Sequence, residues 1–174
     1  MDLLQEYKEL YYKEIEFKDA MSNKIGTSIT FLTVLSTGHM FMWDIMVELQ
    51  IVIHIIPILF LLLEMISVFF TGLSMYNFYK AYFKYNYHLV SVKEIKSAIE
   101  NNKKLIEHYT EEEIEAANIE MMCGTFSKYA IINREENLRK NRWQMKLSSS
   151  IIKAIVFLIL AYTSWIFIIS QFTF

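Results

Sequence analysis

Turn-forming residues are scarce in this 174-residue chain, which has four glycines and one proline, Pro57. So little punctuation excludes a fold of many short strands and predicts few, long helices. The single cysteine, Cys123, excludes an intrachain disulfide framework and cannot by itself build a zinc centre. Neither charge prevails: 17 basic and 19 acidic residues leave a net charge of −2, so no basic footprint for direct nucleic-acid binding is present. Glycine-rich phosphate loops, paired-cysteine spacings and a nucleophile–histidine–acid arrangement are also missing. His39, His54, His88 and His108 are scattered without a partner at ligand spacing, and the acids after His108 are explained as complements of a helix dipole. The chain is therefore not read as an enzyme, and neither a cofactor nor a metal is expected.

Long apolar runs, by contrast, are abundant. Hydrophobic residues make up 54% of the chain and charged ones 21%, with a mean hydropathy of +0.26. Such a balance requires the charges to be segregated from the apolar runs. The strongest run, Leu49–Met75, holds about 25 nearly unbroken apolar residues, and a helix of that length outspans the ~30 Å hydrocarbon core of a bilayer. One acid, Glu64, lies near its middle.

Residues 1–25 read as an amphipathic helix on the cytoplasmic side, with Leu3, Leu4, Tyr7, Leu10, Tyr11, Ile15 and Phe17 at three- and four-residue spacing. No cleavable signal peptide is expected there, because these residues are charged rather than apolar. Residues 26–75 are expected to form a transmembrane hairpin. Its first span, Ile25–Trp43, is diluted by Thr, Ser, Gly and His, and Gly26, Thr30, Thr33 and Thr37 share one side of the wheel. Small and hydroxylated residues suit close helix–helix contact in lipid, so this side is assigned to helix packing. Asp44–Glu48 is expected to be the short link, with Trp43 as an interfacial anchor.

In the central span Pro57, Phe60, Glu64, Ser67 and Thr71 lie on one face, with His54 at its edge. A proline in a span removes a backbone donor and ordinarily bends the helix. A polar face on an apolar helix does not look at lipid. A mid-bilayer charge costs ~2.5–3.5 kcal/mol on insertion scales, so Glu64 is protonated, paired or wetted by a cavity. A carboxyl bonded to a neighbouring helix, with a Thr of the first span as its partner, is one reading. A pore or gating face made of His54, Pro57, Glu64, Ser67 and Thr71 is the other.

Residues 76–148 are read as cytoplasmic helices. Five tyrosines and two lysines crowd residues 76–90, as in an interfacial aromatic belt. Ser91–Glu94 and Thr110–Glu113 fit the capping box and start helices near 92 and 111. The first is expected to run to about 108, while the second has no evident stop. Asn133, Asn137 and Asn141 recur every fourth residue beside Arg134. Asparagine is a mediocre helix former, so the row needs a reason. A hydrogen-bond ladder between helices or subunits, a site for a polar ligand such as a nucleotide, and a solvated face all fit. The last segment, residues 149–174, is a third span, with Lys153 one turn inside it and able to snorkel.

Residues 76–149 carry 12 Lys and Arg, whereas the Asp44–Glu48 link has none. The positive-inside rule then puts the N-terminus and residues 76–149 in the cytoplasm. The expected fold class is an all-α integral membrane bundle with three transmembrane helices and a helical cytoplasmic unit. Three spans do not enclose a wide pore alone, so conduction would require a homo-oligomer.

Two stretches carry a family resemblance. YYKEIEFKDAMSNKIGTSITFLTVL, residues 11–35, leads a Tyr/Glu/Lys-rich helix into a hydroxyl-rich span. YAIINREENLRKNRWQMKLSSSIIKAIVFLIL, residues 129–160, feeds an Asn/Arg/Lys helix into an apolar one. Together they resemble small multi-pass effectors of bacterial anti-phage systems, the SLATT-type and cyclic-nucleotide-linked membrane effectors. The resemblance implies an inner-membrane protein, silent until a sensor protein or nucleotide signal arrives, that then permeabilises the bilayer. The other function considered is a non-conducting anchor or regulatory subunit for a cytosolic partner.

Overall fold

The computed structural model describes residues 3–48, 55–84, 87–104 and 108–172, and the regular structure among them is helical. Five helices follow in order: α1 (Leu3–Ser22), α2 (Ile25–Glu48), α3 (Ile55–Tyr82), α4 (Val92–Lys103) and α5 (Glu111–Phe172). They form two compact units, one from Met1–Ser22 with Tyr85–Arg139 and the other from Asn23–Lys84 with Lys140–Phe174. Three helical stretches are long and apolar enough to cross a bilayer: Leu3–Asp44, whose apolar part is α2, together with Ile58–Tyr82 and Glu111–Phe167.

Several boundaries differ from expectation. Asp44–Glu48 is the last turn of α2 rather than a link, because nothing in Asp-Ile-Met-Val-Glu breaks a helix. α3 continues to Tyr82, about two turns past residue 75. α4 stops at Lys103 instead of near 108. The third apolar span is the end of α5, as the lack of an evident stop allows: the helix has neither proline nor a capping glycine to end it sooner. Gly124 does not interrupt it.

In the first unit α1 packs on residues 111–139 of α5. Tyr11, Phe126 and Ala130 are buried together, with Tyr7, Ile15 and Met122 around them. The Tyr11 and Phe126 rings meet edge to face at 5.6 Å, a geometry that adds ~0.5–1.5 kcal/mol beyond area burial. The buried stripe of α1 is narrower than expected, since Leu3, Leu10 and Phe17 are exposed. α4 buries no residue, but its Asn102 amide donates to Asn118 Oδ1 at 2.8 Å.

Both predicted capping boxes lie at helix starts. Glu94 N–H donates to Ser91 Oγ. At α5 the exchange is reciprocal: Thr110 N–H donates to Glu113 Oε2 at 2.9 Å, and Glu113 N–H donates to Thr110 Oγ1 at 3.3 Å. The Thr110 backbone N–H, and after it the hydroxyl, hold the Glu113 carboxyl below its usual range. A lowered folded value means the contribution is complete above the ordinary carboxylate pKa and lost as pH falls through the lowered one. Amide protection in the first turn of α5 should therefore stay constant from neutral pH to about 5 and fall below about 4. Glu113→Gln should abolish that dependence, and a wild-type profile flat down to about pH 3 would contradict it.

In the second unit α2, α3 and residues 140–172 of α5 share two apolar clusters. One joins Leu32 and Leu35 to Leu147, Ile151 and Ala154. The other joins Met42 and Phe60 to Ala161 and Trp165. Packing is tightest at Gly38, where an added Cβ would stand 3.1 Å from Leu158 Cδ2.

Candidate functional site

Between these clusters α3 is polar on the inside and apolar on the outside. Phe60, Glu64, Ser67, Thr71, Ser74 and Asn77 recur every three or four residues, and all are buried. Leu59, Leu62, Met65, Phe69 and Leu73 alternate with them and are exposed. In water this arrangement leaves a large apolar surface wet; in hydrocarbon it is the favourable one.

The buried side chains hold the neighbouring helices. Ser67 Oγ donates to the Ala154 carbonyl at 2.8 Å. Asn77 Nδ2 donates to Ser150 Oγ at 3.0 Å, and that hydroxyl gives its own hydrogen to the Lys146 carbonyl at 2.8 Å. Gln144 Nε2 donates to the Tyr82 hydroxyl at 3.0 Å. These bonds tie α3 to α5.

His39 ties α3 to α2. Its Nδ1 lies 2.6 Å from Glu64 Oε1 and its Nε2 lies 3.0 Å from Thr71 Oγ1. Counting hydrogens decides more than the distances do. Thr71 has one hydroxyl hydrogen, which it donates to the Ser67 carbonyl at 3.0 Å, so toward the imidazole it accepts and Nε2 carries a hydrogen. The 2.6 Å contact then requires one further proton, either as Nδ1–H facing a carboxylate or as a carboxyl O–H facing an Nδ1 lone pair. Both arrangements leave the pair with zero net charge. Without that proton, two lone pairs would face each other in a dry interior. Glu64 Oε2 has no hydrogen-bond partner among the described residues.

Glu64, Ser67 and Thr71 are thus brought together as the wheel predicts, but against α2 and α5 of the same chain, with Glu64 1% exposed. The partner of Glu64 is His39, where a threonine was expected. Pro57 lies close to Ile55, where the described part of α3 begins. His54 lies outside the described residues.

Gly26, Thr30, Thr33 and Thr37 are exposed. Within the chain α2 packs through Leu32, Leu35, His39 and Met42 instead, because that side also carries its buried polar group. Thr30 spends its hydroxyl hydrogen on the Gly26 carbonyl of its own helix.

The asparagine row divides. Asn133 donates to the His88 carbonyl and accepts from the His88 N–H, both at 3.1 Å, as a strand neighbour would. Asn137 donates at 2.8 Å to the Glu14 carbonyl and to Glu14 Oε2, and accepts from the Tyr87 hydroxyl at 2.8 Å. Both are buried clasps inside the first unit. Asn141 is half-buried in the second unit and Arg134 is exposed.

Sequence reasoning passed over His39, left among four scattered histidines, because the contact depends on which residue of α2 lies opposite Glu64. Among the described residues no group of three His, Cys, Asp or Glu gathers to hold a metal. Compared with known proteins, the chain matches no family model, no curated protein and no solved structure.

Two outcomes follow for stability in detergent. A hydrogen bond between membrane helices contributes ~0.6–1.7 kcal/mol, but removing one partner also strands the other. His39→Leu should therefore destabilise more than His39→Leu/Glu64→Leu, by about 1–2 kcal/mol; strictly additive effects would contradict the pairing. Asn137→Ala should cost about 2–4 kcal/mol for its three bonds and Asn141→Ala less than about 0.5, and equal losses would contradict the clasp.

Proposed function

We propose that the chain is a multi-pass effector of the bacterial inner membrane that permeabilises or depolarises the bilayer when triggered, in antiviral (anti-phage) defence. What supports this reading most directly is α3, whose polar face is sealed inside a bundle that presents its apolar side outward. A bundle of this kind has something to expose. Rotating or separating α2 and α5 would turn Glu64, Ser67 and Thr71 toward a shared, hydrated lumen between copies. Glu64 Oε2, which has no hydrogen-bond partner among the described residues, supplies part of the drive: a buried acceptor left unpaired costs ~1–3 kcal/mol, which entering water recovers.

In this reading the His39–Glu64–Thr71 cluster is the closed-state latch. The N-terminus and residues 76–149 lie in the cytoplasm, where the 12 basic residues belong. The first unit receives the trigger, from a sensor protein or a nucleotide signal. The resemblance of residues 11–35 and 129–160 to anti-phage membrane effectors adds the biological setting. A second reading, a non-conducting anchor for a cytosolic partner, is favoured by one observation: α4 buries no residue of its own.

Purified chain in potassium-loaded vesicles, read with a potential-sensitive dye, separates the two. Loss of the latch in His39→Ala should raise the leak about tenfold over wild type, the effect of a ~1.4 kcal/mol shift toward the open state. Glu64→Leu should abolish it. Three equal traces would remove the cluster from the mechanism, and no leak from any variant at any density would favour the anchor.

A further inference from the structure

Lys153 is the last charged residue of α5 and lies seven residues, or ~10 Å, beyond Lys146, within the apolar run. Its ammonium stands 5.4 Å from the centroid of the Phe70 ring. That ring stacks at 5.8 Å on Phe157, which is one turn further into the span than Lys153. The side chain is thus held beside the rings of the span and is not drawn back to the headgroups, as a snorkelling lysine would be. It is exposed, and among the described residues it pairs with no acid.

A bare ammonium against acyl chains is costly, and charged groups within spans mark water-lined paths. The surroundings fit such a path. Arg142, Lys146, Ser149 and Lys153 are all exposed and fall within about 60° of one another on the α5 wheel. The last three line a groove of about 500 Å³ along the seam of α3 and α5, next to the Asn77–Ser150 hydrogen bond. Its lining holds two cations and no carboxylate. The cations stand at two levels, as along a path, and not around one ligand. Ser67 Oγ reaches the carbonyl of Ala154, the residue after Lys153, so a passage opened along this seam runs past Lys153.

We infer that Lys153, with Lys146 two turns nearer the charged end of α5, makes the proposed passage selective for small anions such as chloride. The inference rests on the permeabilising reading. Ammonium groups in a narrow lining raise the local anion concentration and repel potassium. Between them the Ser149 hydroxyl offers a donor to an anion that sheds water. Glu64, turned to the same lumen, sets one negative charge against two positive ones, so each copy still contributes +1 (2 − 1).

In potassium chloride gradients across phosphatidylcholine vesicles, the His39→Ala chain should pass chloride over potassium by about fivefold. Adding Lys153→Gln should bring that ratio to about one, Lys153→Glu should invert it, and Lys153→Arg should preserve it, which separates charge from packing. Lys103→Gln removes a charge from the first unit and should change nothing. Hydration of the groove is read separately in the same His39→Ala background with Cys123→Ser. There Ser149→Cys and Lys153→Cys should react with an anionic, membrane-impermeant methanethiosulfonate on both sides of the bilayer at least about tenfold faster than Met65→Cys. A leak that favours potassium, a ratio that ignores Lys153→Gln, or Lys153→Cys as inert as Met65→Cys would overturn this inference and leave the permeabilising reading standing. No leak from any variant would overturn both.

Discussion

One proton, held between His39 Nδ1 and Glu64 Oε1, allows the apolar helices of the second unit to pack as they do. A carboxylate or an imidazolium alone in hydrocarbon is expensive, and on insertion scales a single mid-span charge already cancels the contribution of several leucines. Paired through that proton, the two groups carry no net charge, and their attraction offsets part of the cost of burying them. Thr71 completes the arrangement by spending its own hydrogen on the Ser67 carbonyl, which fixes the imidazole's orientation. Around this centre Ser67, Thr71, Ser74 and Asn77 are buried, while Leu62, Met65, Phe69 and Leu73 are exposed.

The same economy explains why α5 serves both units. Its first half buries aromatic and amide side chains, Phe126, Asn133 and Asn137, against α1 and residues 87–90. Its second half offers small residues and carbonyls: Ala154 accepts from Ser67, and Ser150 accepts from Asn77. Small side chains let α3 come close enough for short hydroxyls to reach across. α5 is thus one helix with residues in both units.

Much of the fold was legible in the residues because its signals are periodic or local. Apolar length identified the long helices, the Ser91 and Thr110 boxes marked two helix starts, and the wheel placed Glu64, Ser67 and Thr71 on the inner face of α3. What was not legible depends on which helix lies opposite. The small-residue side of α2 looked like the packing side, yet the chain packs through Leu35 and His39, because a buried carboxyl needs a hydrogen-bond partner more than the backbones need close approach. For Asn133 and Asn137 the spacing left a hydrogen-bond ladder, a ligand site and a solvated face open; their use by His88, Tyr87 and Glu14 arises from segments 45 to 123 residues away in sequence.

The central claim is that the polar face of α3 is dry and enclosed while its opposite face meets acyl chains. Spin labels placed singly at Leu62, Met65 and Phe69, and cysteines placed singly at Ser67 and Thr71, all in a Cys123→Ser background in phosphatidylglycerol-containing vesicles, test both halves together. The account predicts frequent collisions of the labels with oxygen and few with a water-soluble nickel chelate, and negligible reaction of the two cysteines with a membrane-impermeant maleimide in the untriggered state. Labels at Leu62 and Phe69 that meet the chelate as often as oxygen, or a Ser67 cysteine that reacts as fast as an exposed thiol, would contradict it.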